Sequence, residues 1–193
     1  PAIVGIGTAR PARQPLAKGP PTRFTGTGFA VGDGLTIATN FHVLFPDLDT
    51  DNRETLAVFT GRGRETQVRP ARLLRSLPER DLALLRIEGE PLPVLPLGDD
   101  VLLREGSDIA FTGFPIGVVL GLHPVTHRGI IAAVTPIVIP AQSARQLSPQ
   151  QLRALREPQT VYQLDATAYP GNSGSPVYTL DGGVVIGILN SVH

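Results

Sequence analysis

Glycine and proline punctuate this chain so often that its apolar runs stay short, with 21 glycines and 19 prolines in 193 residues. Several of those runs are rich in Val, Ile and Thr and are bounded by turn residues, a pattern of many short strands rather than long helices. Phe29-Ala30-Val31 and Leu35-Thr36-Ile37-Ala38-Thr39 flank Gly32-Asp33-Gly34, whose Asp-Gly step suits a tight hairpin. Leu56 to Phe59, Gln67 to Arg75 and Leu82 to Ile87 complete a first set of candidate strands. A second set comprises Asp108 to Thr112, Thr126 to Val134, Val161 to Leu164, Val177 to Thr179 and Val184 to Leu189. Between the sets, Glu88 to Gly98 carries prolines too densely for a central ladder and reads as a connector. The proline-bearing stretch Arg10 to Thr22 reads as a surface loop. One helix is expected from Ser148 to Arg156, with serine at the cap, Pro149 at the first helical position, Gln151 three residues after the cap, and Pro158 as its stop.

Composition narrows the chemistry. The 17 basic and 17 acidic side chains balance, which argues against a polyanion or an acidic membrane as principal partner. There is no cysteine, so disulfides and thiolate metal sites are excluded and the fold must hold by packing. No apolar run approaches the roughly 18–20 residues of a membrane span; the longest candidate, Ile130 to Pro140, is interrupted by Thr135 and Pro136. The chain opens on Pro1 without a basic segment and apolar stretch, and it holds no methionine. It therefore reads as a processed or excised domain.

The most telling chemistry lies in Tyr169-Pro170-Gly171-Asn172-Ser173-Gly174-Ser175-Pro176, which sets one serine in a glycine-rich turn. A serine hydroxyl is a weak nucleophile until an adjacent base takes its proton, and that base needs a carboxylate to orient it. Upstream stand Thr39-Asn40-Phe41-His42-Val43 and Arg80-Asp81-Leu82-Ala83-Leu84-Leu85. Each of His42, Asp81 and Ser173 alone would pass as a half-buried histidine, a turn residue and loop filler. Together they run in the order histidine, aspartate, serine, which is the chain order of a chymotrypsin-type triad.

These segments resemble the trypsin-like serine proteases, and among them the cysteine-free bacterial Deg/HtrA-type branch. Gly26-Thr27-Gly28-Phe29 through His42 is similar to that branch's first hairpin and histidine motif, and Asp81 to Ile87 to its aspartate strand. Gly113-Phe114-Pro115-Ile116-Gly117, Arg128 to Val134, Asp165-Ala166-Thr167 and Pro170 to Gly174 extend the resemblance over nearly the whole chain. It implies an all-β fold of two packed six-stranded antiparallel β-barrels with the active site in the cleft between them. Residues 1–88 would form the first barrel, 89–105 the connector and 106–193 the second. It further implies a serine endopeptidase acting on protein or peptide substrates without a cofactor, in a secreted or periplasmic location, and leaves homo-oligomerisation open.

The resemblance also assigns finer roles. The oxyanion hole would be the Gly171-Asn172-Ser173 turn, through the amides of Gly171 and Ser173. Asn172 stands where trypsin has an aspartate that pairs with a new N-terminus, so activation by N-terminal insertion is not expected. Ser175 replaces a second glycine, as in the glutamyl endopeptidases, while Leu189 occupies the place of their glutamate-binding histidine. The primary pocket would be lined by Thr167 and Ala168 on one side and Leu189, Asn190, Ser191 and Val192 on the other. None carries a charge, which favours small or medium aliphatic side chains. Pro140 to Gln159 reads as an insertion. The strands of the second half number one short of six, so a continuation, the N-terminal segment or a second chain is expected to cover an open edge.

Other readings carry less. Gly171 to Ser175 lacks the last glycine of a nucleophile elbow, and Gly5-Ile6-Gly7-Thr8-Ala9-Arg10 misses the dinucleotide fingerprint. His123, His127 and His193 have no metal-binding spacing. Arg62, Arg64, Arg69, Arg72, Arg75 and Arg80 read as a solvated strand face, since aromatics are only 5% and base-stacking platforms are scarce, so no nucleic-acid partner is expected. The competing functional class is a peptide-binding module that keeps a protease fold and does little catalysis.

Overall fold

A computed structural model describes residues 1–11, 22–44, 48, 53–115, 122–136 and 160–190. The helix expected from Ser148, the loop from residue 12, and pocket residues Ser191 and Val192 lie outside the described residues.

Six strands close the first half into a barrel. In chain order they are β1 (Ile3–Ala9), β2 (Thr22–Val31), β3 (Thr36–Asn40), β4 (Thr55–Thr60), β5 (Gln67–Leu77) and β6 (Leu82–Ile87). Around the barrel they run β1-β2-β3-β6-β5-β4, with β4 returning to β1, and the pairings are antiparallel. Closure removes the exposed sheet edges that would otherwise invite pairing with another chain. Alternation in β6 turns Ala83, Leu85 and Ile87 inward, and Leu85 and Ile87 join a core with Val4, Ile6, Ile37 and Val58.

β1 has no counterpart among the strands expected from sequence, because Gly5 and Gly7 dilute its strand character. Those glycines are where another chain segment approaches closely. A Cβ on Gly7 would lie 1.8 Å from the Arg23 carbonyl oxygen, next to the bulge between Ile6 and Gly7. The turn between β2 and β3 is also longer than the tight hairpin expected. It spans Gly32 to Leu35, with Gly32 and Gly34 at φ 60° and 75° and the Asp33 carboxylate accepting the Leu35 N–H.

The second half comprises β7 (Asp108–Gly113), β8 (Val125–Pro136), β9 (Thr160–Asp165), β10 (Pro176–Thr179) and β11 (Val185–Ile188), in the order β11-β10-β7-β8-β9. Among the described residues this half is a five-stranded sheet with β9 and β11 at its two edges, one strand short of six as the strand count from sequence anticipated. The two halves together have the chymotrypsin-like architecture. Ile109, Phe111, Ile131 and Val177 form the second half's core. Phe29 and Ala38 of the first half pack with Val185 of β11, joining the halves through apolar contact. The connector contributes as well: Leu97 pairs in parallel with Val185, whose N–H donates to Pro96 O and whose carbonyl accepts the Gly98 N–H, both at 2.8 Å. One position of the β11 edge is thus covered from within the chain.

The arginine-rich strand β5 is largely exposed, with Arg72 and Arg75 at the surface. Arg69 instead turns its guanidinium to the carbonyls of Glu88 and Glu90.

Candidate active site

Strand β3 ends at Asn40 and a single 3₁₀ turn, His42–Leu44, follows. Val43 drops into the first-barrel core at 2% exposure, which leaves the neighbouring His42 imidazole on the outside of the turn. Asp81 sits at the start of β6 in the left-handed region, φ 51° and ψ 41°, a conformation aspartate tolerates better than most residues. That backbone is held from three sides. Asp81 N–H donates to Pro78 O at 3.0 Å, and its carbonyl accepts from Asn40 Nδ2 at 3.0 Å and Phe41 N–H at 3.1 Å.

The carboxylate consequently meets His42 at two points. Oδ2 lies 2.6 Å from His42 Nδ1, and Oδ1 accepts the His42 backbone N–H at 2.8 Å. An ionised carboxylate only accepts, so in the neutral imidazole the contact favours the tautomer with its proton on Nδ1 and a lone pair on Nε2. Asp81 is 21% exposed and His42 49%, so the pair lies at an open surface rather than in a sealed pocket.

The Ser173 turn is threaded against β2. Its carbonyl accepts the Thr27 N–H at 2.8 Å, and the next amide, Gly174 N–H, donates to Leu189 O at 2.9 Å. Asn172 N–H donates to Tyr169 O, and Ser175 N–H to Asn172 O, both at 3.0 Å. Gly171 and Gly174 both take positive φ, 99° and 87°. Gly174 also fits a space with no room for a side chain, since its Cβ would lie 2.0 Å from Thr27 O and 2.5 Å from Thr39 Oγ1. Beside Gly26, the Ser173 carbonyl and a Val43 methyl both lie 2.8 Å from the point a Cβ would occupy. The serine turn's backbone and a side chain of the histidine turn therefore line the same space beside Gly26.

The residues expected around the oxyanion hole and pocket fall as follows. Among the described residues, the N–H groups of Gly171 and Ser173 donate to nothing, whereas that of Asn172 is taken by Tyr169. The Asn172 side chain is wholly buried rather than facing substrate, and neither of its polar atoms has a partner. Ser175 is equally buried, its hydroxyl likewise unpartnered. Ala168 and Leu189 both pack against the second-half core, while Thr167 and Asn190 are exposed. His127 stacks on Phe111 with ring centroids 4.9 Å apart. Sequence reasoning missed Thr27, which bonds to the serine turn, Thr39, which bonds to the Thr27 carbonyl, and Asn40, which bonds to the Asp81 carbonyl. A threonine between glycines in Gly26-Thr27-Gly28 was the one local hint.

The architecture and this constellation define a class. The chain belongs to the trypsin-like peptidase domain family, whose match runs over residues 26–188. Within it the chain is of the Deg/HtrA type. It is 33% identical over 174 residues to a probable periplasmic serine endoprotease DegP-like of Halomonas elongata, covering 88% of this chain and 30% of that one. A relative of the same description from Marinomonas sp. is 31% identical over 168 residues, covering 87% and 30%. The chain thus spans about 30% of the length of these curated relatives. Among solved structures, Deg5 superposes with a TM-score of 0.68 at 23% identity, over 100% of this chain and 80% of that one. An HtrA-type protease with a tripeptide superposes at 0.65 and 25% identity, over 97% and 50%.

Proposed function

We propose that this chain is a serine endopeptidase working through a Ser173–His42–Asp81 triad and an acyl-enzyme. The observation that carries the reading is the two-point contact between Asp81 and His42, which holds the imidazole in the tautomer a general base needs. His42 Nε2 takes the Ser173 hydroxyl proton as Oγ bonds to the scissile carbonyl carbon. The carbonyl electrons move to oxygen, and the amides of Gly171 and Ser173 stabilise that oxyanion. Collapse of the adduct breaks the C–N bond, with His42 returning its proton to the leaving amine. Water, deprotonated by the same imidazole, then hydrolyses the ester. No step calls for a metal or an organic cofactor.

The test is labelling by a fluorescent fluorophosphonate. Wild type should label and Ser173→Ala should not, with both folded by circular dichroism. Equal labelling of the two overturns the assignment of Ser173. Peptide binding with casein cleavage at background, with or without candidate activator peptides, would favour the binding-module reading.

For the substrate, the apolar packing of Ala168 and Leu189 supports cleavage after small or medium aliphatic residues. Discrimination should be broad, since one methylene is worth about 1–3 kcal/mol in an apolar pocket. Cleavage-site profiling on a denatured protein mixture checks it, and dominant cutting after Arg, Lys or Glu overturns it. The names of the curated relatives support a periplasmic or secreted location.

A further inference from the structure

Thr27 touches the serine turn at two places and both halves of the molecule at once. It is fully buried on β2. Its N–H donates to the Ser173 carbonyl at 2.8 Å, and its hydroxyl donates to the Gly171 carbonyl at 2.8 Å. The same hydroxyl accepts the Phe114 N–H at 3.0 Å, just beyond β7 of the second half. Its own carbonyl accepts the Thr39 hydroxyl at 2.7 Å, on the strand that leads to His42. A hydroxyl has one proton to give. Because Phe114 N–H occupies an acceptor site, that proton is directed at Gly171 without ambiguity.

The consequence follows peptide by peptide. The 171–172 unit is held at its carbonyl by Thr27 and at its N–H by Tyr169 O. The 173–174 unit is held at its carbonyl by Thr27 and at its N–H by Leu189 O. In the unit between them, Asn172 O accepts the Ser175 N–H, and Ser173 N–H stays unbonded among the described residues. Two carbonyl dipoles that would repel a developing oxyanion are therefore both turned toward β2.

We propose that Thr27 is a positioning residue for the acylation step, whose hydroxyl keeps the Gly171 carbonyl directed away from the substrate side so that the adjacent amides can meet negative charge. This rests on the serine endopeptidase reading. A threonine-to-valine change keeps the shape and removes the hydroxyl, leaving the Gly171 carbonyl free to turn and the Phe114 N–H without its Thr27 acceptor. Serine restores the hydroxyl without the methyl group.

The experiment compares wild type, Thr27→Val and Thr27→Ser of the whole chain, each checked for folding by circular dichroism. Time courses with the fluorophosphonate separate its reversible affinity from the rate of covalent capture at Ser173. Thr27→Val should lower the capture rate about 10- to 100-fold with affinity within about twofold, since small misplacements of charge-stabilising groups are costly in rate. Thr27→Ser should stay within about threefold of wild type. A Thr27→Val rate equal to wild type overturns the proposal, as does a Thr27→Ser rate as low as that of Thr27→Val. Hydrogen exchange of the Asn172 and Gly174 amides decides the matter independently of activity. Protection should fall in Thr27→Val and persist in Thr27→Ser, and unchanged protection in Thr27→Val overturns the proposal. If wild type itself does not label, the endopeptidase reading fails, while the exchange result still tests whether Thr27 holds the turn.

Discussion

The Ser173 carbonyl oxygen lies 2.8 Å from where a Cβ on Gly26 would stand, with a Val43 methyl at the same distance. One missing side chain therefore lets the serine turn and the histidine turn share a wall. Gly26→Ala must displace one of them, and the Ser173 carbonyl belongs to backbone that cannot simply rotate away. We expect a loss of about 1–3 kcal/mol from overpacking together with slower fluorophosphonate labelling. Denaturant titration and labelling of the same preparation check both. Unchanged values in the two measurements would mean the turns are looser than their contacts imply.

Asp81→Asn should separate orientation from structure. The amide can still accept the His42 backbone N–H, but its Nδ2 group placed against Nδ1 favours the opposite imidazole tautomer. The corresponding change in a triad of this type lowers kcat about 10⁴-fold. A casein-cleavage rate within tenfold of wild type would show that Asp81 does not set the tautomer.

Asp33 offers a pH signature far from the serine turn. The Arg86 guanidinium, then the Leu35 N–H, lower its carboxyl to about 2 from an ordinary 3.8. A carboxyl lowered by folding contributes stability that is complete above its unfolded value and is lost as pH falls through the folded one. The thermal-midpoint gap between wild type and Asp33→Asn should thus hold above pH 3.8, shrink between 3.8 and about 2, and vanish below. The pair is exposed, so the gap should be modest and should narrow with added salt. A gap that does not change between pH 5 and 2 would rule the linkage out.

Gly7→Ala tests the β1–β2 ladder. The new methyl would lie 1.8 Å from the Arg23 carbonyl, so the bulge after Ile6 must open. Destabilisation of about 1–3 kcal/mol is expected, read as a lower denaturant midpoint. An unchanged midpoint would show that β1 pairs differently.

Strands such as β6 were legible because a short apolar run is written locally, in Leu82 to Ile87, while its in-and-out alternation shows only in the burial. The five strands of the second half were likewise countable from their Val- and Ile-rich runs. β1 escaped because its glycines answer to partners elsewhere, Gly7 to Arg23 and Gly5 to the Leu122 side chain. The same divide runs through the site. His42, Asp81 and Ser173 each stand in a short motif, whereas the hydroxyl that meets Gly171 is 144 residues distant from it, with only the threonine between Gly26 and Gly28 as a local hint. A polar pair of that separation belongs to tertiary structure.

The serine turn has one more property, which concerns time rather than shape. Its described anchors outside its own segment are Thr27 on β2, 144 residues before Gly171, and Leu189 just after β11. Contacts that close such long loops form late, after local pairings have already been made. During synthesis Leu189 emerges after every other residue that holds the turn. On the ribosome the Ser173 turn can thus be held from both sides only after residue 189 has emerged.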